Sequence, residues 1–466
     1  MRMWLKAMAV GALAVSAMAP ARAETLTDAL ISAYQNSNLL NQNQAVLRAA
    51  DEGVAEAVSG LRPVVSFVVN AGKTWSRRTT DFSNSSFNTL ALSATLSVDL
   101  MLFDFGRAQA GIELARQSVL ATRQALVQVE QQVLLSAVAA YVEVRLRQEI
   151  VALRQSNVRL IGQELKAAQD RFDVGEITKT DVAIAEAALG AARSAMAAAE
   201  GDLMVAREAF KAAVGHYPGA LAIPPASPAI PKSLDAARSV AVKTHPTILQ
   251  AQHQVLVAEA QVALAEANMK PTIGLGASIG NTDINSSVFG SDTATLSGEV
   301  GIQLSQTLYA GGRLSALYRK ALAQKESARA GLKQTVVQIE QNLGNVWAQL
   351  SVYIASIEAS RQQIRAAQEA FDGVREEASL GARTTLDVLN AEQDLLDARN
   401  SRLQAEAGRY VAVYQVLAAM GLLTAEHLKL GIPTYDPEAY YDAVKNAPST
   451  SVQGKKLDRI LKKTGN

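Results

Sequence analysis

Cysteine is missing from all 466 residues. That excludes disulfides, thiolate metal centres, a cysteine nucleophile and the acylated cysteine of a lipoprotein. Histidine is scarce: His216, His245, His253 and His427 have neither metal-ligand spacing nor an acidic partner in a motif, so surface or core placement is the expectation, with no catalytic residue, no metal and no cofactor. Aromatic residues make up 5% of a chain that is 49% hydrophobic. The apolar content is therefore mostly Ala, Val and Leu, which suits long, closely packed helices better than a bulky compact core. Neither charge sign is in excess, since 45 Lys+Arg against 44 Asp+Glu leaves +1, and nothing electrostatic calls for nucleic acid.

Long apolar runs are also lacking. Arg2 and Lys6 precede an apolar run from Ala7 to Ala19, and Ala21-Arg22-Ala23 is a small-x-small cleavage site. This is expected to be a signal peptide over residues 1–23, with a mature chain from Glu24; the run is too short to span a hydrocarbon core of roughly 30 Å. No later stretch reaches about 18 consecutive apolar residues, so a membrane role would have to use strands.

Proline is absent between Pro63 and Pro218 and again between Pro271 and Pro433, while Pro218, Pro224, Pro225, Pro228 and Pro231 crowd one short segment. That segment reads as a linker over 218–232 between a first repeat at 24–217 and a second at 233–430, followed by a polar tail at 431–466. Leu102-Phe103-Asp104-Phe105-Gly106-Arg107 returns 206 residues later as Leu308-Tyr309-Ala310-Gly311-Gly312-Arg313. The same offset pairs Gly175 with Gly381, Thr178 with Thr384, Asp181 with Asp387 and Glu186 with Glu392. Further upstream the offset is 208, matching Leu26 to Leu234 and Pro63 to Pro271. An offset held this steadily argues for internal duplication rather than chance similarity.

Each half holds two segments that alternate with period two. Leu90, Leu92, Ala94, Leu96, Val98 and Leu100 face one way, and Thr89, Ser93, Thr95, Ser97 and Asp99 the other. Val65, Phe67 and Val69, then Ile273, Leu275, Ala277 and Ile279, then Leu296, Val300, Ile302 and Leu304 mark the remaining three. Runs of about 10 to 13 residues match tilted membrane strands better than globular ones. A barrel with lipid outside and water inside explains the alternation; a half-buried soluble sandwich is the alternative. The polar stretches Arg77–Asn88 and Thr282–Thr293 are expected to be outer loops. Four strands cannot close a membrane barrel, whose smallest form has about 8, so several copies must contribute.

Arg107–Phe172 is expected to be one helix, and Lys179–Val214 a second with 14 alanines among the 32 residues from Val182 to Ala213. A 66-residue helix would reach roughly 100 Å. The turns Val174-Gly175-Glu176 and Leu380-Gly381-Ala382 reverse the chain at glycine. Asp387, Asp394 and Asp397 share a helical face, either solvated or lining a lumen. The tail carries Lys455, Lys456, Lys462 and Lys463 and is expected to be polar and partly disordered.

Together, the repeated strand-strand-helix-turn-helix order, the two Arg-ended helix entries, and the turns Arg171-Phe-Asp-Val-Gly-Glu and Ser379-Leu-Gly-Ala-Arg-Thr-Thr-Leu-Asp-Val-Leu resemble the TolC family of outer-membrane efflux and secretion ducts. The resemblance implies an α+β membrane protein. A homotrimer would close a twelve-stranded barrel in the outer membrane of a Gram-negative bacterium and continue it as a periplasmic α-helical barrel. The partners implied are outer-membrane lipid, a periplasmic adaptor docked at the tips Val174, Gly175, Glu176, Leu380, Gly381 and Ala382, and an inner-membrane ABC or proton-driven pump. It further implies a gate: Arg383 bonding Thr180 and Asp181 of a neighbouring coil, with Asp387 lining the constriction. This chain departs from the family pattern by carrying Asn390 where a second aspartate is usual and Ala378 where a tyrosine is usual. The missing lipoprotein cysteine leans toward the unlipidated group serving type I secretion as well as drug efflux.

The function expected is passive export. A self-contained porin would spend most of its length on strands. A secreted coiled-coil structural protein or adhesin remains the alternative, sharing the helices but not the paired strands. No motif supports an enzyme.

Overall fold

The computed structural model describes residues 23–286 and 292–446, with Arg459. The expected signal peptide and its site before Glu24, the crown of the second strand pair and most of the lysine-bearing tail lie largely outside those residues. In order, the chain forms α1 (Leu26–Asn36), α2 (Asn38–Ser59), β1 (Val64–Thr80), β2 (Ser83–Phe103), α3 (Arg107–Asp173) and α4 (Lys179–Val214). It then forms α5 (Leu234–Thr244), α6 (Pro246–Ala267), β3 (Thr272–Ser286), β4 (Asp292–Ser305), α7 (Arg313–Ser379), α8 (Thr385–Ala419) and α9 (Pro437–Val444).

Two helices precede each strand pair. Ser37 and His245 cause both breaks. Each is extended, at φ −72° and −68°, and each side chain accepts a backbone N–H of the next helix: Leu40 N to Ser37 Oγ at 3.2 Å, Thr247 N to His245 Nδ1 at 3.2 Å. Burial pushes the His245 imidazole down to about 4, keeping Nδ1 free to accept.

The chain divides into two compact units that cut across the expected repeats. One comprises residues up to Asn43, Leu126–Ile248 and Val336–Thr434; the other comprises Gln44–Ala125, Leu249–Thr335 and the segment from Tyr435. In the first unit Leu26, Leu30, Leu134, Tyr141, Phe210, Leu417 and Met420 share one buried core. Tyr141 Oη lies 2.9 Å from the carbonyl oxygen of Glu24 and 2.7 Å from that of Ala222. Glu24 bridges to the Pro-rich segment by N–H to Ala220 O at 2.8 Å and C=O to Ala222 N at 2.9 Å, so that segment is tied down along its path.

The second unit holds an antiparallel sheet in the order β1-β2-β3-β4. Its register carries one residue class across all four strands: Val65 opposes Val98, Val98 opposes Ala277 and Ala277 opposes Val300. One position along, on the other face, Ser66, Ser97, Ser278 and Glu299 form the matching polar row. The apolar face is bare, with Phe67 68%, Leu296 73%, Val300 76% and Ile302 71% exposed. A soluble sandwich would cover that face with a second sheet, so the sandwich alternative fails here.

The strands are longer than the alternation suggested, and the first expected outer loop is mostly strand. Pairing continues through Arg77↔Ser86 and Thr79↔Asn84 to a turn at Asp81 and Phe82; the second pair continues through Thr282↔Thr295 to Asn285↔Asp292. Ladder bonds are main-chain bonds, so polar side chains mark where an apolar belt ends, not where pairing ends.

The strands hand over to the long helices by left-handed residues: Phe105 at φ 51° and Gly106 at 91°, against Gly311 at 60° and Gly312 at 82°. Asp104 offsets the strain at Phe105 by capping α3, with its carboxylate 3.0 Å from Gly106 N and 2.6 Å from Ala108 N. The tail is not wholly irregular. Asp436 caps α9, and Arg123 of α3 sits 5.2 Å over the Tyr441 ring and 3.4 Å from Glu438.

Helices α3 and α4 each contain an 18-residue window apolar enough by composition to cross a membrane. In α4, however, Glu186, Arg193, Glu200 and Arg207 recur every seven residues and keep one face polar.

Gly215 and Gly421 end α4 and the turn after α8 at positive φ. A Cβ on Gly421 would stand 2.6 Å from His245 Cα and 2.7 Å from Thr244 O, whereas one on Gly215 would meet only the Asn36 side chain. Gly421→Ala is therefore expected to destabilise by about 2 kcal/mol or more. Gly215→Ala should cost less, because its nearest approach, 2.9 Å to Asn36 Cβ, is looser than the 2.6 and 2.7 Å approaches to backbone at Gly421. Denaturant unfolding of the detergent-solubilised protein measures both, and equal losses would refute the ordering.

Candidate functional site at the helix turns

α3 and α7 each end one residue short of a glycine-centred reversal. Gly175, at φ 83°, donates to Phe172 O at 2.9 Å while Glu176 N donates to Arg171 O at 2.9 Å. Gly381, at φ 78°, donates to Ala378 O at 3.1 Å while Ala382 N donates to Glu377 O at 2.9 Å. Paired bonds of this kind satisfy the last carbonyls of a helix and need a residue without Cβ at the left-handed position.

Two residues later each turn restarts a helix with a Thr-x-x-Asp capping box. Asp181 Oδ2 accepts from Thr178 N at 3.0 Å and Thr178 Oγ1 at 2.7 Å, and Thr178 Oγ1 accepts from Asp181 N at 3.4 Å. The Thr384–Asp387 pair repeats this at 3.0, 2.8 and 3.2 Å. Both carboxyls are held below the usual aspartate range, Asp181 first by the Thr178 hydroxyl and Asp387 first by the Thr384 backbone N–H. Each therefore has a firm structural duty as a cap, whatever else it does. Val174 and Leu380 are 72% and 78% exposed, and Gly175, Glu176, Gly381 and Ala382 are exposed beside them.

The two turns are stapled by ion pairs of opposite direction. Arg171 Nε meets Glu176 Oε2 at 3.3 Å, whereas Arg383 Nε meets Glu377 Oε2 at 2.8 Å. Glu377 and Asp387 both hold the Arg383 guanidinium in its charged form, Glu377 more strongly. Among the described residues no hydrogen bond or ion pair within the chain joins Arg383 to Thr180 or Asp181. Thr180 and Asn390 are exposed, Asp387 partly so.

Other contacts near the turns were not foreseen. Arg375 of α7 pairs with Glu164 of α3 at 3.2 Å, and the amide of Asn157 on α3 donates to Glu392 of α8 at 2.5 Å, both of the latter residues buried. The capping boxes had a legible Thr-x-x-Asp signal; a contact between distant helices had none. No cluster of ligating side chains able to hold a metal occurs among the described residues.

Comparison with known proteins fits this geometry. The family model described as outer membrane efflux protein matches residues 29–216 and again 237–422. The chain belongs to the outer membrane efflux protein family. It is 38% identical over 428 residues to outer membrane efflux protein BepC of Brucella suis biovar 1 (strain 1330), covering 91% of each chain. It is 26% identical to outer membrane protein TolC of Escherichia coli (strain K12), over 86% of this chain and 83% of that one. The crystal structure of the outer membrane protein VceC from Vibrio cholerae superposes with a TM-score of 0.70 at 21% identity, covering 85% of this chain and 96% of that one. The fold is that of a TolC-type outer-membrane channel. The efflux family member is thus an outer-membrane channel protein and not an enzyme, and the adhesin alternative falls.

The capping boxes make the turns acid-labile in a definite direction. A depressed folded-state pKa stabilises while the carboxylate is charged and is lost as pH falls below the ordinary aspartate value of 3.8. Amides at the starts of α4 and α8 should lose hydrogen-exchange protection between pH 4 and pH 2. Asp181→Asn and Asp387→Asn should show that loss already at pH 7; protection unchanged by either route would refute the capping account.

Proposed function

We propose that three copies of this chain form a passive exit duct for proteins or small molecules, crossing the outer membrane as one barrel and continuing through the periplasm as a helical tunnel. The observation that carries the reading is the sheet with two open edges and a bare apolar face. In hydrocarbon an unpaired backbone N–H or C=O costs several kcal/mol, so the edges of β1 and β4 need strands from other copies. Two copies would give eight strands, whose interior side chains fill it. Three copies give twelve strands and leave a lumen, and the polar row of Ser66, Ser97, Ser278 and Glu299 suits its wall.

In this reading the chain is a duplicated unit, with repeats at 24–217 and 233–430 joined by the linker 218–232, trailed by the tail 431–466 and matured by cleavage after Ala23. The turns at Val174-Gly175-Glu176 and Leu380-Gly381-Ala382 receive a periplasmic adaptor, which links the duct to an inner-membrane ABC or proton-driven pump. Exposed apolar residues beside glycine support this, since a partner hairpin can approach the backbone closely there. Leucine at both Gly175 and Gly381 is expected to abolish export while trimers remain in the outer membrane. Unimpaired export from that variant would overturn the assignment.

The gate belongs to the same proposal. Both capping bonds of Asp181 fall on Oδ2, which leaves Oδ1 for Arg383 of a neighbouring copy, alongside Thr180. Glu377 competes for that guanidinium within its own chain, so the lock is an exchange of partners. Asp387, repeated around the axis, concentrates cations, and Asn390 in place of a second carboxylate weakens divalent block. In planar bilayers Arg383→Ser should raise conductance, whereas Asp387→Ala should weaken cation preference. Native mass spectrometry should give three chains; a dimer, or an Arg383→Ser channel conducting as the parent does, would refute the corresponding element.

A further inference from the structure

Glu392 is the one buried glutamate among the described residues, 4% exposed in α8 two turns past the Thr384 cap. Its repeat counterpart, Glu186 of α4, is exposed. The same residue at the same register is therefore solvated in one half and enclosed in the other.

Val388, Leu389, Leu395 and Leu396 bury themselves on either side of it along α8. α3 faces this region with Asn157, Leu160 and Ile161, α7 with Phe371 and Val374, and α4 with Leu189 and Ala192. Glu392 Oε1 accepts the Asn157 amide at 2.5 Å, and Oε2 is enclosed without a partner. The charged groups acting on it from the packed helices are Glu164 of α3 and Arg375 of α7. These pair with each other at 3.2 Å, so the favourable field of Arg375 at Glu392 is opposed by that of Glu164 beside it.

We propose that Glu392 and Asn157 form a proton-controlled latch between α8 and α3 within one chain, packed when Glu392 carries its proton and loosened when it does not. As a neutral acid Glu392 receives one hydrogen bond and keeps its O–H on Oε2. As a carboxylate it would place a charge on an unpartnered oxygen among aliphatic side chains. Because α8 also carries Asp387 and follows directly on the Arg383 turn, the latch regulates the same gate and rests on that reading for its functional consequence.

The sign follows from linkage. Burial is the main cause raising Glu392 from 4.5 to about 7 in the packed state. Below 4.5 both states are protonated and packing is at full strength. Between 4.5 and about 7 the separated state releases its proton while the packed one keeps it, so each pH unit shifts the ratio about tenfold toward separation. Across the window the shift is about 300-fold, and above it no further change follows. Acid conditions tighten the latch.

The absence of native cysteine makes the test direct. Gln155→Cys on α3 and Gln393→Cys on α8, both at exposed positions, accept spin labels on the full-length protein in lipid nanodiscs. Pulsed distance measurements from pH 4.5 to pH 8 should show the separated population growing steeply toward neutrality. With Glu392→Gln added, the distance should stay at its acidic value throughout. Asn157→Ala removes the hydrogen bond that favours the charged form, so the upper end of the response should move to higher pH; a packing role alone would leave it in place. A pH-independent distance in the parent, or a response persisting in Glu392→Gln, would overturn the latch. Should Glu392→Gln fail to assemble, the parent titration and the Asn157→Ala shift decide. A protein that conducts no current yet shows the pH-dependent distance would refute the duct and support the latch.

Discussion

Backbone hydrogen bonding in a medium without water is the constraint from which the rest of the architecture follows. A sheet of four strands satisfies its internal ladders through continuous register, from Val64↔Asp99 to Asn285↔Asp292. It satisfies neither outer edge. Water could solvate such edges, but the same strands present Phe67, Leu296, Val300 and Ile302 outward, so the apolar belt that suits lipid also removes the solvent that would have relieved the edges. Apolar face and open edge thus demand the same remedy, which is more strands from elsewhere.

The helical half answers a different problem. Helices of 67 residues, such as α3 and α7, complete their hydrogen bonds internally except at the ends. Those ends are where the chemistry of this chain concentrates: glycine reversals, Thr-x-x-Asp boxes and one ion pair per turn. The two turns share backbone and differ in charge order. Arg171 precedes its glycine and Glu176 follows, whereas Glu377 precedes and Arg383 follows. Of the two ion-paired arginines, only Arg383 of the second turn therefore lies on the side leading into the next helix.

Much of this was readable from the amino acids. The span of α4 and the start of α3 followed from proline absence, alanine density and the glycine turns; the amphipathic strands followed from strict alternation. What escaped had physical reasons. Strand ends were placed too early because polarity reports the belt and not the ladder. The α1–α2 break turned on one extended serine, a local conformation with weak sequence signal. The different fates of Glu186 and Glu392 depend on which helix lies opposite, and no one-dimensional pattern contains that. The family resemblance named Arg383, Thr180 and Asp181 as candidates, while the structure added their standing commitments: Glu377 for the arginine, Thr178 for the aspartate.

The two edges of the sheet are not alike. β1 offers 17 residues beginning at Val64, and β4 offers 14 ending at Ser305. A ring closed by joining unlike edges is a head-to-tail assembly, in which each copy lends one surface to one neighbour and the other surface to the next. A lesion confined to β4 then leaves a chain fully competent on its β1 side, able to enter a ring it cannot complete. In the proposed ring of three, a cell making equal amounts of sound and damaged chain would build only about one ring in eight wholly from sound copies if they enter at random. Genetic dominance, rather than simple loss, is the inheritance pattern that such a proposed ring would follow.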